Sequence, residues 1–497
     1  MPMTADQARK LLPSPNSEHR SDAHEKGGAL VTRQIVVPFE GEGSGVGELT
    51  WGQREIWPAM QDQRSSFSIG GVLSLPPGRT ADDVAADLRF IMGRHASLRT
   101  RLRFAADGHV QQVVARSGAA LLEVADAGDA DPAEIAAALH RRYDAKVFDY
   151  IHEWPIRWAV IVSRGAATHL VSVICHIAAD GMGVLAILND LARKDPATGL
   201  AAGPVTTLQP LALANLQGAP AARRRSAAAL RYSEFLLRAI PARRFAGPTG
   251  ERQPRYRQAY YDSPASHLAI QAIAARTGAS TSTVLLACWA VALARVTGSN
   301  PTVVQVVVNN RFRRGFAEVV SPLCHVNLCA IDVADITVDE AVARTWRSAL
   351  SAYKYAYYDP RERAELITKI SQERGEEIDV NCLVNDRRMH DRQEPEGPPP
   401  PPGDVRAALP QSALSWGYEK DQPGERCFLH INNVPGTVQC ELLADTHYVS
   451  PADMEACLRE LEAVAVEAAL DPAARTGVQA TLRASPGRGA LRGRTWS

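Results

Sequence analysis

No run in this sequence approaches the roughly 20 consecutive apolar residues that a membrane-spanning helix needs, so no such helix is expected. The opening charges of MPMTADQARKLLPSPNSEHRSD are not followed by an apolar stretch, and no signal peptide is visible. The chain also lacks a charge imbalance: 55 Lys+Arg stand against 55 Asp+Glu. That argues against an overall nucleic-acid or membrane-surface binder. Its eight cysteines, at 175, 288, 324, 329, 382, 427, 440 and 457, include no C-x-x-C pair. Structural zinc and a disulfide framework are therefore disfavoured, and the expected compartment is the cytoplasm. What is present is an ordinary globular composition, 45% hydrophobic over 497 residues. This is enough for a large core and for two to four domains, or two large ones.

The residue pattern divides the chain into five parts. Residues 1–46, rich in Gly, Ser, Pro and charge, read as a flexible leader, with Gln34–Phe39 a candidate short strand. The run Gly41–Gly47 is not a dinucleotide loop, because the third glycine is missing from its place and no helix follows. Residues 47–200 form a first α/β lobe. Within it Thr80 caps a helix reaching Arg94, another helix lies around Pro132–Arg142, and Val110–Val114 and Ile156–Val162 are strands. Residues 201–257 make a connector in which ten arginines between Arg223 and Arg257 face only Glu234 and Glu251. Residues 258–472 form a second α/β lobe. It has an apolar, buried helix over Ser282–Val296, strands at Val303–Val308, Val326–Val333, Asp379–Val384, Arg426–Asn432 and Val438–Ala444, and a closing helix over Pro451–Ala469. The proline run Glu394–Gly403 is an exposed loop, and 473–497 a loose basic tail.

One stretch carries chemistry. His169–Ile174 is β-branched and apolar, and it runs into Cys175-His-Ile-Ala-Ala-Asp-Gly181. Side chains alternate along a strand, so Leu170, Ser172, Ile174 and His176 share one face and Cys175 takes the other. An imidazole at a strand end, with an ordinary pKa of roughly 6.5, suits general-base work near neutrality. A hydrogen-bonded core histidine is the competing reading. Asp180, four residues on, is a carboxylate in a tight turn that calls for a cationic partner.

These residues resemble the His-His-x-x-x-Asp-Gly motif of the condensation domains of nonribosomal peptide synthetases, members of the chloramphenicol acetyltransferase-like superfamily. Other segments follow in the family's order. They include Leu49-Thr-Trp-Gly-Gln-Arg-Glu-Ile-Trp57, Arg94-His-Ala-Ser-Leu-Arg-Thr100, Phe148-Asp149 with Pro155-Ile-Arg157, Ala287–Gly298 with Val303–Arg311, Pro322–Asn327 and Leu443–Thr446. The likeness spans about residues 47 to 472. It implies an α/β fold of two acetyltransferase-like lobes in a V, with the active site in a tunnel between them. It also implies a stand-alone condensation enzyme that transfers an acyl or peptidyl group from a carrier-protein thioester to an amine or alcohol.

In that picture His176 takes or orients the acceptor's proton and the Gly181 amide helps hold the oxyanion. Asp180 pairs with Arg311 across the cleft, and Cys175 and Asn327 are structural. No metal and no resident cofactor are required, since the donor rides on the phosphopantetheine of a separate carrier or on CoA. Partners are then an acyl or peptidyl carrier protein and a small acceptor, with neither nucleic acid nor membrane. Carrier proteins are acidic, which gives Arg223, Arg224 and Arg225 a docking role; a solvated connector is the alternative. Several positions depart from the family pattern: Cys175 replaces the first histidine, Ala96 a glutamate, His325 and Leu328 flank Asn327, and Asn310 replaces the glycine before Arg311. A CoA-dependent O-acyltransferase and a catalytically silent recruiting platform remain as alternatives.

Overall fold

The computed structural model describes residues 32–195, 198, 203–248, 250–388, 398–421 and 424–480. They form two compact units. The first holds the described residues up to Arg225 together with Asn309–His325, and the second holds Ser226–Val308 and the described residues from Val326 on.

In the first unit a five-stranded sheet runs in the order Thr32–Glu40, Ser117–Asp126, Ile156–Ser163, Ala166–Ile174, Ile69–Ser74. Ser117–Asp126 and Ile156–Ser163 are parallel, and the helix Pro132–Ala145 supplies the crossover such a pair needs. The other pairs are antiparallel. Helices Ala81–Arg94 and Gly181–Ala192 bury Val84, Leu88, Ile91, Val184 and Ile187 against Val37, Leu122, Trp158, Leu170 and Ile174 of the sheet. Ala136 and Leu139 of the crossover helix close the other face over Ala159, Ile161 and Val171.

The second unit is a seven-stranded sheet, ordered His325–Ile331, Thr302–Val308, Leu383–Asp386, Cys427–Asn432, Val438–Asp445, Tyr256–Ser263, Ala413–Lys420. Helices Pro264–Thr277, Thr281–Thr297, Val338–Lys354 and Pro451–Leu470 cover one face of it. The helix Thr281–Thr297 is buried continuously from Val284 to Ala294, as its all-round apolar pattern predicts. Among the described residues no single helix is long and apolar enough to cross a membrane.

The structure differs from the sequence expectations at several joints. Within the leader, Thr32–Glu40 is a nine-residue strand on the sheet edge, burying Val37 and Phe39. Gly45–Glu48, expected in a flexible linker, is a strand paired with Val110–Val114; its neighbour's backbone, not its own glycine-rich composition, fixes it. Residues 474–480 are not loose: Thr476 is buried and bonded to Val333 and Ile336, and Val478 joins the second core. Pro402–Ala408, reached by the proline run, is a helix with proline at its first turn. The rest of the leader (1–31), residues 394–397 of the proline run and the tail from 481 lie outside the described residues. Arg311, assigned by sequence to the second lobe, belongs to the first unit.

Candidate active site

The strand Ala166–Ile174 stops one residue short of Cys175, yet its alternation persists. Leu170 and Ile174 enter the core under the two helices, while Val173 and Cys175 enter a separate cluster with Leu49, Met60, Leu102 and Phe148. His176 follows in a turn closed by a bond of 3.0 Å from the Ala178 N–H to the Cys175 carbonyl, and it is only half-buried. Burial pushes the Cys175 thiol up to about 12, so it stays protonated and is no nucleophile near neutrality.

Backbone bonds fix the turn. The Cys175 N–H donates to the Pro155 carbonyl at 3.0 Å and the His176 N–H to the Ser66 carbonyl at 3.1 Å. The Ser66 hydroxyl accepts the Phe148 N–H at 2.9 Å and lies 3.2 Å from the Tyr150 hydroxyl. Thr50 and Gln53 form a reciprocal capping box at the start of the helix Trp51–Asp62, and the Gln53 amide donates to the Ile177 carbonyl at 3.2 Å. Arg157 pairs with Glu153 at 2.7 Å, donates to the Tyr143 and Lys146 carbonyls, and lies 3.8 Å over the Phe148 ring. Segments 49–57 and 148–157, far apart in sequence, thus converge on the turn that carries His176. Sequence reasoning gave Ser66 no part in this; a lone loop serine offers no signal.

Asp180 is 2% exposed and Arg311 7%, and the two form an ion pair. Asp180 is also the N-cap of the helix Gly181–Ala192: its Oδ1 accepts the Gly183 N–H at 2.8 Å. Its Oδ2 accepts the Leu323 N–H at 3.0 Å and the Cys324 thiol at 3.5 Å. The terminal nitrogens of Arg311 also donate to the carbonyls of Val319 (2.8 Å), Ala317 (3.3 Å), Phe316 (3.4 Å) and Ser321 (3.4 Å), while its buried Nε has no hydrogen-bond partner among the described residues. One buried charge pair therefore folds residues 309–325 around itself and ties them to the helix that begins at Gly181. The pair lies within one compact unit, not across two lobes as the sequence reading had it, because this segment leaves the second unit to pack in the first.

Asn310 is fully buried at φ +56°, with its amide donating to the Leu323 carbonyl at 3.0 Å. Asparagine tolerates this left-handed conformation better than most residues, which explains how it stands in for glycine. Gly52 has a stricter role: a Cβ there would lie 1.9 Å from the Pro322 carbonyl oxygen.

The remaining sequence candidates scatter. In the segment 94–100, Arg94 pairs with Asp190 at 2.7 Å and His95, its pKa held low by burial, lies 3.3 Å from the same carboxylate. Ala96 is buried with its N–H on Gln209 at 2.8 Å. Asn327 lies in the second unit, where its amide donates to the Ala352 carbonyl at 2.9 Å. Within the arginine-rich stretch, Arg238, Arg255 and Arg257 are paired with Glu234, Asp445 and Glu419, and Arg244 is buried. Arg223, Arg224 and Arg225 remain exposed on the helix Pro220–Ala239.

No protein-family model matches the chain. Over 302 residues it is 30% identical to the AMB antimetabolite synthetase AmbB of Pseudomonas aeruginosa, a match covering 58% of this chain and only 23% of that protein. Its fold is similar to that of the X-domain from teicoplanin biosynthesis, with a TM-score of 0.65, 18% identity, and coverage of 88% of this chain and 97% of that one. The first condensation domain of the calcium-dependent antibiotic synthetase, in complex with a substrate analogue, gives a TM-score of 0.61 at 17% identity over 87% of this chain and 98% of that one. SgcC5 from Streptomyces globisporus gives 0.62 at 16% identity over 86% and 100%. The chain has the mixed α/β fold of condensation domains.

Proposed function

We propose that the chain is a condensation-type acyltransferase of natural-product biosynthesis, joining an acyl or peptidyl group held as a carrier-protein thioester to an amine or alcohol. In this reading the His176 imidazole takes the acceptor's proton as the nitrogen or oxygen attacks the thioester carbonyl. The new carbon–nitrogen or carbon–oxygen bond forms as the carbonyl oxygen gains negative charge. The oxyanion then collapses, the carbon–sulfur bond breaks, and the departing thiolate takes up the proton. The Gly181 amide, at the first position of its helix, faces the developing oxyanion. Asp180 occupies the Gly183 N–H, and Arg311 neutralises Asp180, so that carboxylate does not oppose charge at the oxyanion.

The observation that carries this reading is the half-buried His176, held by backbone bonds on the turn before the Asp180-capped helix, in a chain with the condensation-domain fold. Single-turnover transfer from a carrier-bound thioester tests it. His176→Ala is expected to lose about 10²–10⁴ in rate while the fold is retained, and Cys175→Ala to transfer at close to the wild-type rate. Transfer by His176→Ala at the wild-type rate overturns the assignment. Equal use of a CoA thioester and a carrier-bound one favours a CoA-dependent acyltransferase instead. A second reading, a recruiting platform without acyl transfer, draws on the replacement of the first motif histidine by Cys175 and on the likeness to the teicoplanin X-domain, which is also solved in complex with OxyB. It takes the lead if neither donor is used.

A further inference from the structure

The helix Pro220–Ala239 is followed by a short loop, residues 241–245, that holds two adjacent arginines of opposite exposure. Arg243 is exposed, whereas Arg244 is 6% exposed. The loop is fixed in place. Phe245 joins the second core, the Asp379 N–H donates to the Ala242 carbonyl at 2.8 Å, and the Arg244 Nε donates back to the Asp379 carbonyl at 2.8 Å. Both arginines line a cleft of about 320 Å³, partly open to solvent, together with Phe245, Leu293, Ser299 and Cys382. The cleft lies wholly within the second unit. It sits at the end of the sheet where Thr302–Val308 and Leu383–Asp386 begin, opposite the end from which Asn309 leaves for the first unit.

Charge in the cleft is unmatched. A guanidinium has five N–H donors, and Arg244 commits two of its own to the carbonyls of Asp379 and Pro241. Among the described residues neither Arg243 nor Arg244 forms an ion pair with a carboxylate. Asp379, whose charge is felt at Arg244, is held by Arg426 at 2.6 Å. Arg374, a further cation acting on Arg244, is matched by Glu376 at 2.5 Å. Two positive charges are left over, one of them almost fully buried, and a buried charge calls for a partner. The helix Thr281–Thr297 ends at the cleft, but a helix C-terminus carries only about half a negative charge. Its Ala294 carbonyl is in any case already bonded to the Gly298 N–H.

We propose that this cleft is a binding site for a phosphate group, held between the guanidinium groups of Arg243 and Arg244. A phosphate monoester carries about −1.5 to −2 near neutrality, which matches the two uncompensated charges, while a carboxylate supplies one. Guanidinium forks also suit the spacing of phosphate oxygens. The cleft is at the small end of the range of about 300–1,000 Å³ for pockets that bury drug-sized ligands. It therefore takes a head group, free or carried by a small molecule. The site stands whether or not the chain transfers acyl groups, and its test uses no turnover.

The test follows the ³¹P line of inorganic phosphate as full-length protein is added, with ionic strength fixed by chloride. Wild type is expected to broaden the line, saturably as phosphate is raised. Arg347→Gln, which alters an exposed arginine outside the cleft lining, should behave as wild type. Arg243→Gln changes an exposed side chain and should weaken phosphate about tenfold, the lower end for a lost hydrogen bond to a charged group. Arg244→Gln should abolish the broadening; should that variant not fold, Arg243→Gln decides. Excess acetate should leave phosphate bound. Displacement by glycerol 3-phosphate assigns the site to the head group of a phosphate ester, and failure to displace assigns it to free phosphate. A line that stays sharp with wild type, equal broadening by Arg243→Gln and wild type, or displacement by acetate as readily as by added phosphate would overturn the site and leave the two arginines as solvated loop charges.

Discussion

Among the described residues, replacing Asp180 by alanine removes the only carboxylate that contacts the Arg311 guanidinium, which then faces four carbonyls and no counter-charge while almost fully buried. Breaking one partner of a buried pair typically costs about 3–5 kcal/mol. The Gly183 and Leu323 N–H groups also lose their acceptor, a further cost of about 1–3 kcal/mol for each group that water does not reach. These contributions overlap, so the expectation for Asp180→Ala is a loss of about 3–5 kcal/mol. Asp180→Asn is not a neutral control. Its amide keeps one oxygen for both Gly183 and Arg311 but then points an NH₂ at the Leu323 N–H, donor against donor, and an intermediate loss is expected. Arg311→Met removes the charge from the other side. The double variant Asp180→Ala/Arg311→Met should lose less than the sum of the singles, because neither charge is stranded. Urea unfolding with hydrogen exchange read on peptides covering 176–184 and 309–325 confines the measurement to the first unit. A loss below about 1 kcal/mol for Asp180→Ala, or additivity of the two singles within about 0.5 kcal/mol, would refute the account of this pair as the clasp of the segment.

Gly52→Ala places a methyl 1.9 Å from the Pro322 carbonyl and 3.1 Å from the Leu323 nitrogen, so thermal melting should show a clear loss of stability; an unchanged melting temperature contradicts the close packing. The Cys175 thiol, at about 12 when folded against 9.0 for an ordinary cysteine, is protonated in the folded chain while the unfolded chain ionises, so it contributes a loss of stability as pH rises from about 9 to about 12. Comparing wild type with Cys175→Ala by urea unfolding across that range should show a shallower decline in the variant. Reversal of the exposed Arg223, Arg224 and Arg225 to glutamate should slow use of a carrier-bound thioester, more so at low salt, and leave a small free thioester unaffected; equal losses on both argue against docking there.

Elements with their own periodicity are legible in the sequence: the capped helix from Thr80, the apolar helix over 281–297, and the strands at Val110–Val114 and Val438–Asp445 all lie where the pattern puts them. The burial of Cys175 on the face opposite Ile174 follows from alternation, whereas His176 lies in the turn beyond the strand and is held by its N–H on Ser66; a cationic partner for Asp180 follows from burying a carboxylate in a turn. What escapes depends on contacts distant in sequence. Gly45–Glu48 has no strand-forming residues beyond Val46, and only Val110–Val114 makes it a strand. The apparent excess of arginine between 223 and 257 shrinks because Asp445 and Glu419, more than 150 residues away, pair with Arg255 and Arg257. The sequence reading does not include the helices Val338–Lys354 and Pro360–Arg374 or the strands Ser117–Asp126 and Ala413–Lys420; in the strand Ala413–Lys420 every residue is exposed or half-buried, so no inside–outside rhythm marks it. Reading the chain as consecutive blocks also hid the return of 309–325 to the first unit.

That return imposes an order of events on synthesis. Asp180 leaves the ribosome about 140 residues before Leu323, whose backbone it must cap, and before the guanidinium of Arg311 that balances its charge. Throughout that interval the first sheet and its helices exist without their clasp, and closing a loop of such length is slow relative to local folding. The turn bearing His176 therefore reaches its final form only after two of the seven strands of the second sheet, Tyr256–Ser263 and Thr302–Val308, have been translated. A nascent chain halted before residue 309 would present a carboxylate with nothing to bury against.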